Sequence, residues 1–243
     1  LGDVYKRQSQ LDPDKNIRFT FPTPLSKADT AGIHLYAKHD TLWYRAPFEF
    51  KPVPNKLREY ELRGEWRPNI EYSLEVDSAA FEDIYGLATT AIKQGFKVSS
   101  LDEYGTLLVN ITSLTDEPLL VQLLNGQDQV VKEVKAINGV AEFYYLKPQK
   151  YYLRLIVDRN NNGKWDTGCY DEDQQAEEVY YYPGAIECKA KWDVTESWDP
   201  KEKPLSHQKP GAITKQKPDK EKKVKNQNVE RAKKLGIQYI PKI

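Results

Sequence analysis

Ile70-Glu71-Tyr72-Ser73-Leu74-Glu75-Val76-Asp77 alternates apolar and polar residues without a break. A period of two marks an extended strand with one face on a core and the other in water. The pattern recurs upstream, where Ile17, Phe19 and Phe21 alternate with Arg18 and Thr20, and Ile33 and Leu35 alternate with His34 and Tyr36. Pro22, Pro24, Pro52, Pro54, Gly64 and Pro68 separate these runs as turns. Half-buried strands of this kind pair antiparallel and close a core by packing sheet on sheet.

Working towards the C-terminus, Ser99 to Gly105 reads as a short linker, and a second β-rich unit follows. Its expected strands are Thr106 to Ile111, Leu119 to Leu124, Val130 to Val134, Ala141 to Leu146, Tyr151 to Val157, Val179 to Tyr182 and Ile186 to Val194. Asn125-Gly126 and Asn138-Gly139 supply turns between them. The expected architecture is all-β: two consecutive antiparallel β-sandwiches, over residues 9–99 and 104–198, then a basic, mostly irregular C-terminal tail over 199–243.

Composition fits that reading. Sixteen tyrosines and five tryptophans in 243 residues favour strands and fill a core. The net charge is zero, but residues 200–243 hold thirteen Lys/Arg against four Asp/Glu, so the rest of the chain is acidic. The tail lacks interleaved aromatics and glycine-rich phosphate loops, which argues against nucleic acid as a partner. Pro204, Pro210 and Pro218 interrupt it, so most of it is expected to be mobile or laid over the surface of the second unit; a short helix is expected over Asn228 to Leu235, and Ile237 to Pro241 is apolar enough to dock. No apolar run reaches the roughly 20 residues of a membrane-spanning helix.

One loop carries candidate chemistry. Asp158-Arg159-Asn160-Asn161-Asn162-Gly163-Lys164-Trp165-Asp166 places side-chain oxygens at its first, third, fifth and ninth positions and glycine at its sixth. A short turn wraps calcium with that spacing: Asp158, Asn160 and Asn162 through side chains, Lys164 through its carbonyl, Asp166 directly or through water. The twelfth position is Cys169 rather than a bidentate glutamate; Asp171, Glu172 or Asp173 could substitute. The other reading is an Asn/Gly turn capped by Asp158 with no ion.

Catalytic templates fail. His34, His39 and His207 are far apart, and no H-E-x-x-H, C-x-x-C, G-x-S-x-G or phosphate-loop pattern occurs. The carboxylate runs Glu177-Glu178 and Asp171-Glu172-Asp173 read as solvated faces. Strict alternation over Ile186 to Trp192 is expected to point Ile186, Cys188, Ala190 and Trp192 into the core, and pairing of Cys188 with Cys169 stays open. Trp43, Tyr44, Trp66, Trp165, Trp192 and Trp198 fit either a core or a glycan-stacking platform; spacing favours the core, with Trp165 the exception.

Three resemblances extend this reading. Ile17 to Leu25, Trp66 to Leu74 and Asp83-Ile84-Tyr85-Gly86 resemble the bacterial Ig-like domain of the S-layer type over residues 12–99, which implies a non-catalytic spacer or adhesion module. Ala141 to Asp158, with Leu146-Lys147-Pro148 turning into Tyr151-Tyr152-Leu153-Arg154, resembles the transthyretin-like or carboxypeptidase-regulatory-like sandwich. As a whole the chain resembles the C-terminal part of Ig-like domain-containing proteins from Bacteroidetes, which implies export to the cell surface, outer membrane or periplasm. Leu1 to Gln8 resemble a translated sequencing adapter, so residues 1–8 are set aside and a fragment is expected. Any membrane contact is then expected only through a missing N-terminal anchor, as in a lipoprotein. The implied partner is a surface protein or a glycan. The role is non-enzymatic; the alternatives are a glycan-binding module or an accessory domain of a truncated hydrolase.

Overall fold

A computed structural model describes residues 10–114, 116–214, 231 and 233–236. The eight N-terminal residues, half of the expected helix at Asn228 to Leu235 and the apolar Ile237 to Pro241 lie outside the described residues.

The first unit contains β1 (Gln10–Leu11), β2 (Ile17–Thr20), β3 (Leu25–Ala28), β4 (Ile33–His39), β5 (Leu42–Arg45), β6 (Phe48–Pro52), β7 (Glu59–Gly64), β8 (Glu71–Val76), β9 (Phe81–Asp83) and β10 (Ile92–Val98). They form a sheet in the order β1-β10-β8-β4-β5, a second in the order β2-β7-β6, and the pair β3-β9. The alternation does what it implied: Phe19, Phe21, Ile33, Leu35, Tyr72, Leu74 and Val76 are all buried in one cluster fed by strands of all three sheets. Four rings close its centre, with Phe81 lying 6.0, 5.1 and 5.4 Å from Phe19, Phe21 and Phe50. Trp66 packs edge-on against Tyr72 and Phe96.

The second unit contains β11 (Gly105–Ile111), β12 (Leu119–Leu124), β13 (Val130–Lys135), β14 (Val140–Leu146), β15 (Gln149–Val157), β16 (Val179–Tyr181), β17 (Ile186–Cys188) and β18 (Asp193–Trp198). One sheet runs β14-β11-β18 and the other β13-β12-β15-β16, with β17 pairing the start of β15. The fold is all-β, and most pairs are antiparallel. Two pairs, β1 with β10 and β11 with β18, are parallel.

Two expectations are corrected. Ile186 to Val194 is not one strand: β17 ends at Cys188, Lys191 takes a positive φ of 62°, and β18 starts at Asp193. The turn breaks the alternation, so Trp192 is exposed with the Lys189 ammonium 4.5 Å above its ring. Ser99 to Gly105 is not a free linker. Ser99 and Tyr104 are buried, Ser99 donates its N–H to the Leu11 carbonyl, and the Tyr104 hydroxyl bonds Asp12 at 2.6 Å. The start of the tail is laid over the surface of the second unit, one of the two readings the sequence allows. Gln208, buried, accepts the Tyr181 N–H at 3.0 Å and donates to the Pro200 and Lys203 carbonyls, while Lys209 pairs with Asp128 at 2.8 Å. The segment thereby covers the outer edge of β16, an edge that would otherwise offer unpaired backbone groups.

Both cysteines are free thiols. Burial pushes the Cys188 thiol up to about 11, so it stays protonated and unreactive at neutral pH. Iodoacetamide on the native protein is therefore expected to label Cys169 well before Cys188. Equal labelling by mass spectrometry would mean that β17 opens readily.

Candidate functional site

The Asp158 loop leaves the end of β15 and returns to β16. Its first residue is held from both sides: the Asp158 N–H donates to the Pro118 carbonyl at 2.9 Å, and the side chain is 1% exposed. Asp158 Oδ1 accepts the Asn162 N–H at 2.9 Å and Oδ2 accepts the Gly163 N–H at 2.8 Å. The chain can reverse this tightly because Asn161 and Gly163 take positive φ values of 56° and 77°, which Asn and Gly tolerate best. Asn160 Oδ1 accepts the Asn162 N–H and Asn162 Oδ1 accepts the Lys164 N–H, completing a series of side-chain-capped turns.

The remaining polar atoms converge. The Asn160 and Asn162 amides both donate to Asp166 Oδ2, the second at 2.7 Å. The structure thus brings the side chains of Asp158, Asn160, Asn162 and Asp166 into one hydrogen-bonded set, with the Lys164 N–H tied to it. An ionised carboxylate offers about four acceptor positions, and each Asp158 oxygen uses one on the backbone. Capping the turn and contacting a cation are therefore compatible. The cation the structure does place there is Lys135, whose ammonium lies 2.6 Å from Asn161 Oδ1 and 4.0 Å from Asp158 Oδ2.

Asp171, Glu172 and Asp173 do not supply the absent twelfth-position ligand. They stand exposed in the turn beyond the bridge between Cys169 and Gln174. The carboxylate that reaches the loop is Glu177, which as a member of a charged pair was expected on a solvated face. It is only 7% exposed. Its Oε1 accepts the Arg159 N–H at 2.9 Å, its Oε2 accepts the Asp166 N–H at 3.0 Å, and its carbonyl accepts the Trp165 indole N–H at 3.0 Å. Pairing explains the position: Ile156 faces Val179 across β15 and β16, so two residues further out Glu177 comes opposite Asp158. That signal was latent in the sequence, but using it required the register.

Among the described residues, no group of three or more His, Cys, Asp or Glu is arranged to hold a metal. The donor set at the loop is of another kind, two aspartates supplemented by amide and carbonyl oxygens, which suits a hard cation better than a transition metal. The histidines are dispersed as expected: the His34 ring lies 3.1 Å from Asp77, and His207 bonds Ser206.

No family model matches the chain, and no curated protein matches it. Solved structures give remote likenesses. The TIE protein of Bacillus anthracis is 17% identical over 78% of this chain and 32% of its own, with a TM-score of 0.27. BcpA, the major pilin subunit of Bacillus cereus, is 12% identical over 78% and 65%, with a TM-score of 0.26. Klebsiella pneumoniae pullulanase complexed with maltotriose is 9% identical over 71% and 19%, with a TM-score of 0.19. The chain thus spans about a third of the first and about two thirds of the second. At these scores the likeness carries no assignment of family or activity.

Proposed function

We propose that the chain is a non-catalytic structural and adhesive segment of an exported bacterial surface protein, its second sandwich stiffened by calcium at the Asp158 loop. The observation that carries this reading is the burial of two carboxylates, Asp158 and Glu177, facing each other across β15 and β16 where the loop begins and ends. Each is held by two backbone N–H groups, and a cation seated among the loop oxygens would offset the carboxylate charge gathered there. Asp158, Asn160, Asn162 and Asp166 would hold it through side chains and Lys164 through its carbonyl. Bound there, it would fix the loop that joins the inner strand β15 to the edge strand β16.

The exported setting is supported by the weakness of that ligand set. Lacking a bidentate glutamate at the twelfth position and with Lys135 nearby, it belongs with sites of roughly 10⁻⁴ to 10⁻³ M affinity, which fill at extracellular calcium levels. The resemblance of residues 12–99 to spacer and adhesion modules points the same way.

Thermal unfolding in chelator and then in rising calcium tests the reading. A saturable rise in midpoint is expected, worth about 1.4 kcal/mol at tenfold excess over Kd. Identical midpoints throughout the titration would reduce the loop to a capped turn.

A further inference from the structure

The outer face of the five-stranded sheet in the first unit is uneven. Strand register aligns Arg45, Tyr36, Ser73 and Gly95 in one row across β5, β4, β8 and β10, and His34, Glu75 and Lys93 in the next. Trp43 projects on the same face, diagonal to Tyr36 and opposite Lys38. Because Ser73 and Gly95 are short, the middle of the row is a floor, and a groove of about 330 Å³ opens above it, lined by Tyr36, Trp43, Ser73, Glu75 and Lys93. Trp43 is 47% exposed although strand spacing favoured the core for it.

We propose that this groove binds a neutral oligosaccharide. Its walls differ in the way a sugar differs between faces and edges: rings on one side can stack on C–H surfaces, while the Ser73 hydroxyl and the Glu75 and Lys93 head groups meet hydroxyls. Glu75 and Lys93 pair at 2.7 Å, so the residues lining the groove carry no net charge; the Arg45 guanidinium belongs to the row beside Tyr36 but not to the lining. An extended peptide is a poorer fit. β8 has neighbours on both sides and β1 covers β10 only at Lys97 and Val98, so a peptide adding as a strand would lie along the open edge of β10 and not over the floor of the groove. The site lies on the first unit, and calcium at the second is not needed for it.

Gly95 provides a clean test. Its φ is not positive, and a Cβ there would meet nothing nearer than the Tyr72 carbonyl at 4.0 Å, so Gly95→Tyr should fold and fill the groove from below. The full chain is titrated calorimetrically with maltohexaose, cellohexaose, xylohexaose and mannohexaose, each in chelator and in calcium. At least one is expected to bind in both conditions, and both Gly95→Tyr and Trp43→Ala should weaken it by roughly tenfold or more with the thermal midpoint preserved. Absence of binding to all four, equal binding by the variants, or preference for polygalacturonate oligomers would overturn the proposal. A binding result that is independent of calcium separates this site from the fate of the Asp158 loop.

Discussion

Asp158→Ala is expected to destabilise the second unit by about 1–3 kcal/mol in chelator and to abolish the proposed response to calcium. The first part follows from geometry. The substitution strips the acceptor from the Gly163 N–H in a partly buried turn, which costs about 1–3 kcal/mol, while the Asn162 N–H keeps Asn160 Oδ1. The second part follows from charge, and Asp158→Asn separates the two. An asparagine keeps one acceptor oxygen in nearly the same place, so it should retain much of the stability in chelator yet lose most of the calcium-induced rise. Glu177→Gln makes the same separation from the other strand, since its remaining oxygen can serve only one of the two N–H groups from Arg159 and Asp166. Urea melts with and without calcium read both effects. If Asp158→Asn responds to calcium as the unmodified chain does, the loop is not the ion's site, whatever the alanine variant costs.

How much of this was legible in the sequence depended on the range of the determining contacts. β8 and β12 could be bounded to within a residue, because an alternating or wholly apolar run flanked by turn residues specifies a strand locally. The Asp158 turn was equally legible: its bonds span no more than a few residues, and Asn and Gly stand where the backbone needs positive φ. The break at Lys191 was not, since a lysine in the left-handed region carries no signature and the alternation runs through it undisturbed. Glu177 was hidden for a different reason. Its burial comes from the pairing of β16 with β15, a contact across the whole loop, and a glutamate beside another glutamate ordinarily faces water. Gln208 belongs to the same class: a polar residue in a proline-rich tail becomes buried because β16 has a bare edge. Trp43 errs in the opposite direction, an aromatic on the outer face of a sheet, where the same alternation that buried Leu35 exposes Tyr36.

Phe81→Ala should cost about 3–5 kcal/mol, the usual range for removing a fully buried ring, and should do so in the first unit alone. Phe81 is 0% exposed and sits among Phe19, Phe21 and Phe50, so truncation leaves a void lined by three rings that β-strand backbones cannot readily close. None of the buried residues clustered around it belongs to the second unit. The links between units are instead polar: Asp12 to Tyr104 and Lys147, and Asp14 to Lys132 at 2.6 Å. Partly exposed ion pairs of this sort contribute about 1 kcal/mol or less each, too little to make two separate cores unfold as one. Calorimetry of the variant is therefore expected to show the first unit's transition lowered and the second unit's almost unmoved. The Asp158 variants should give the converse. A single transition shifted by both substitutions would instead mean that the Asp12 and Asp14 contacts bind the sandwiches into one cooperative block. Acid would distinguish the polar links further: burial alone would raise the Asp12 carboxyl, but bonds from Tyr104 and Lys147 hold it below its ordinary value. Its contribution is then present at neutral pH and is lost as pH falls through that lowered value, uncoupling the units before either core is breached.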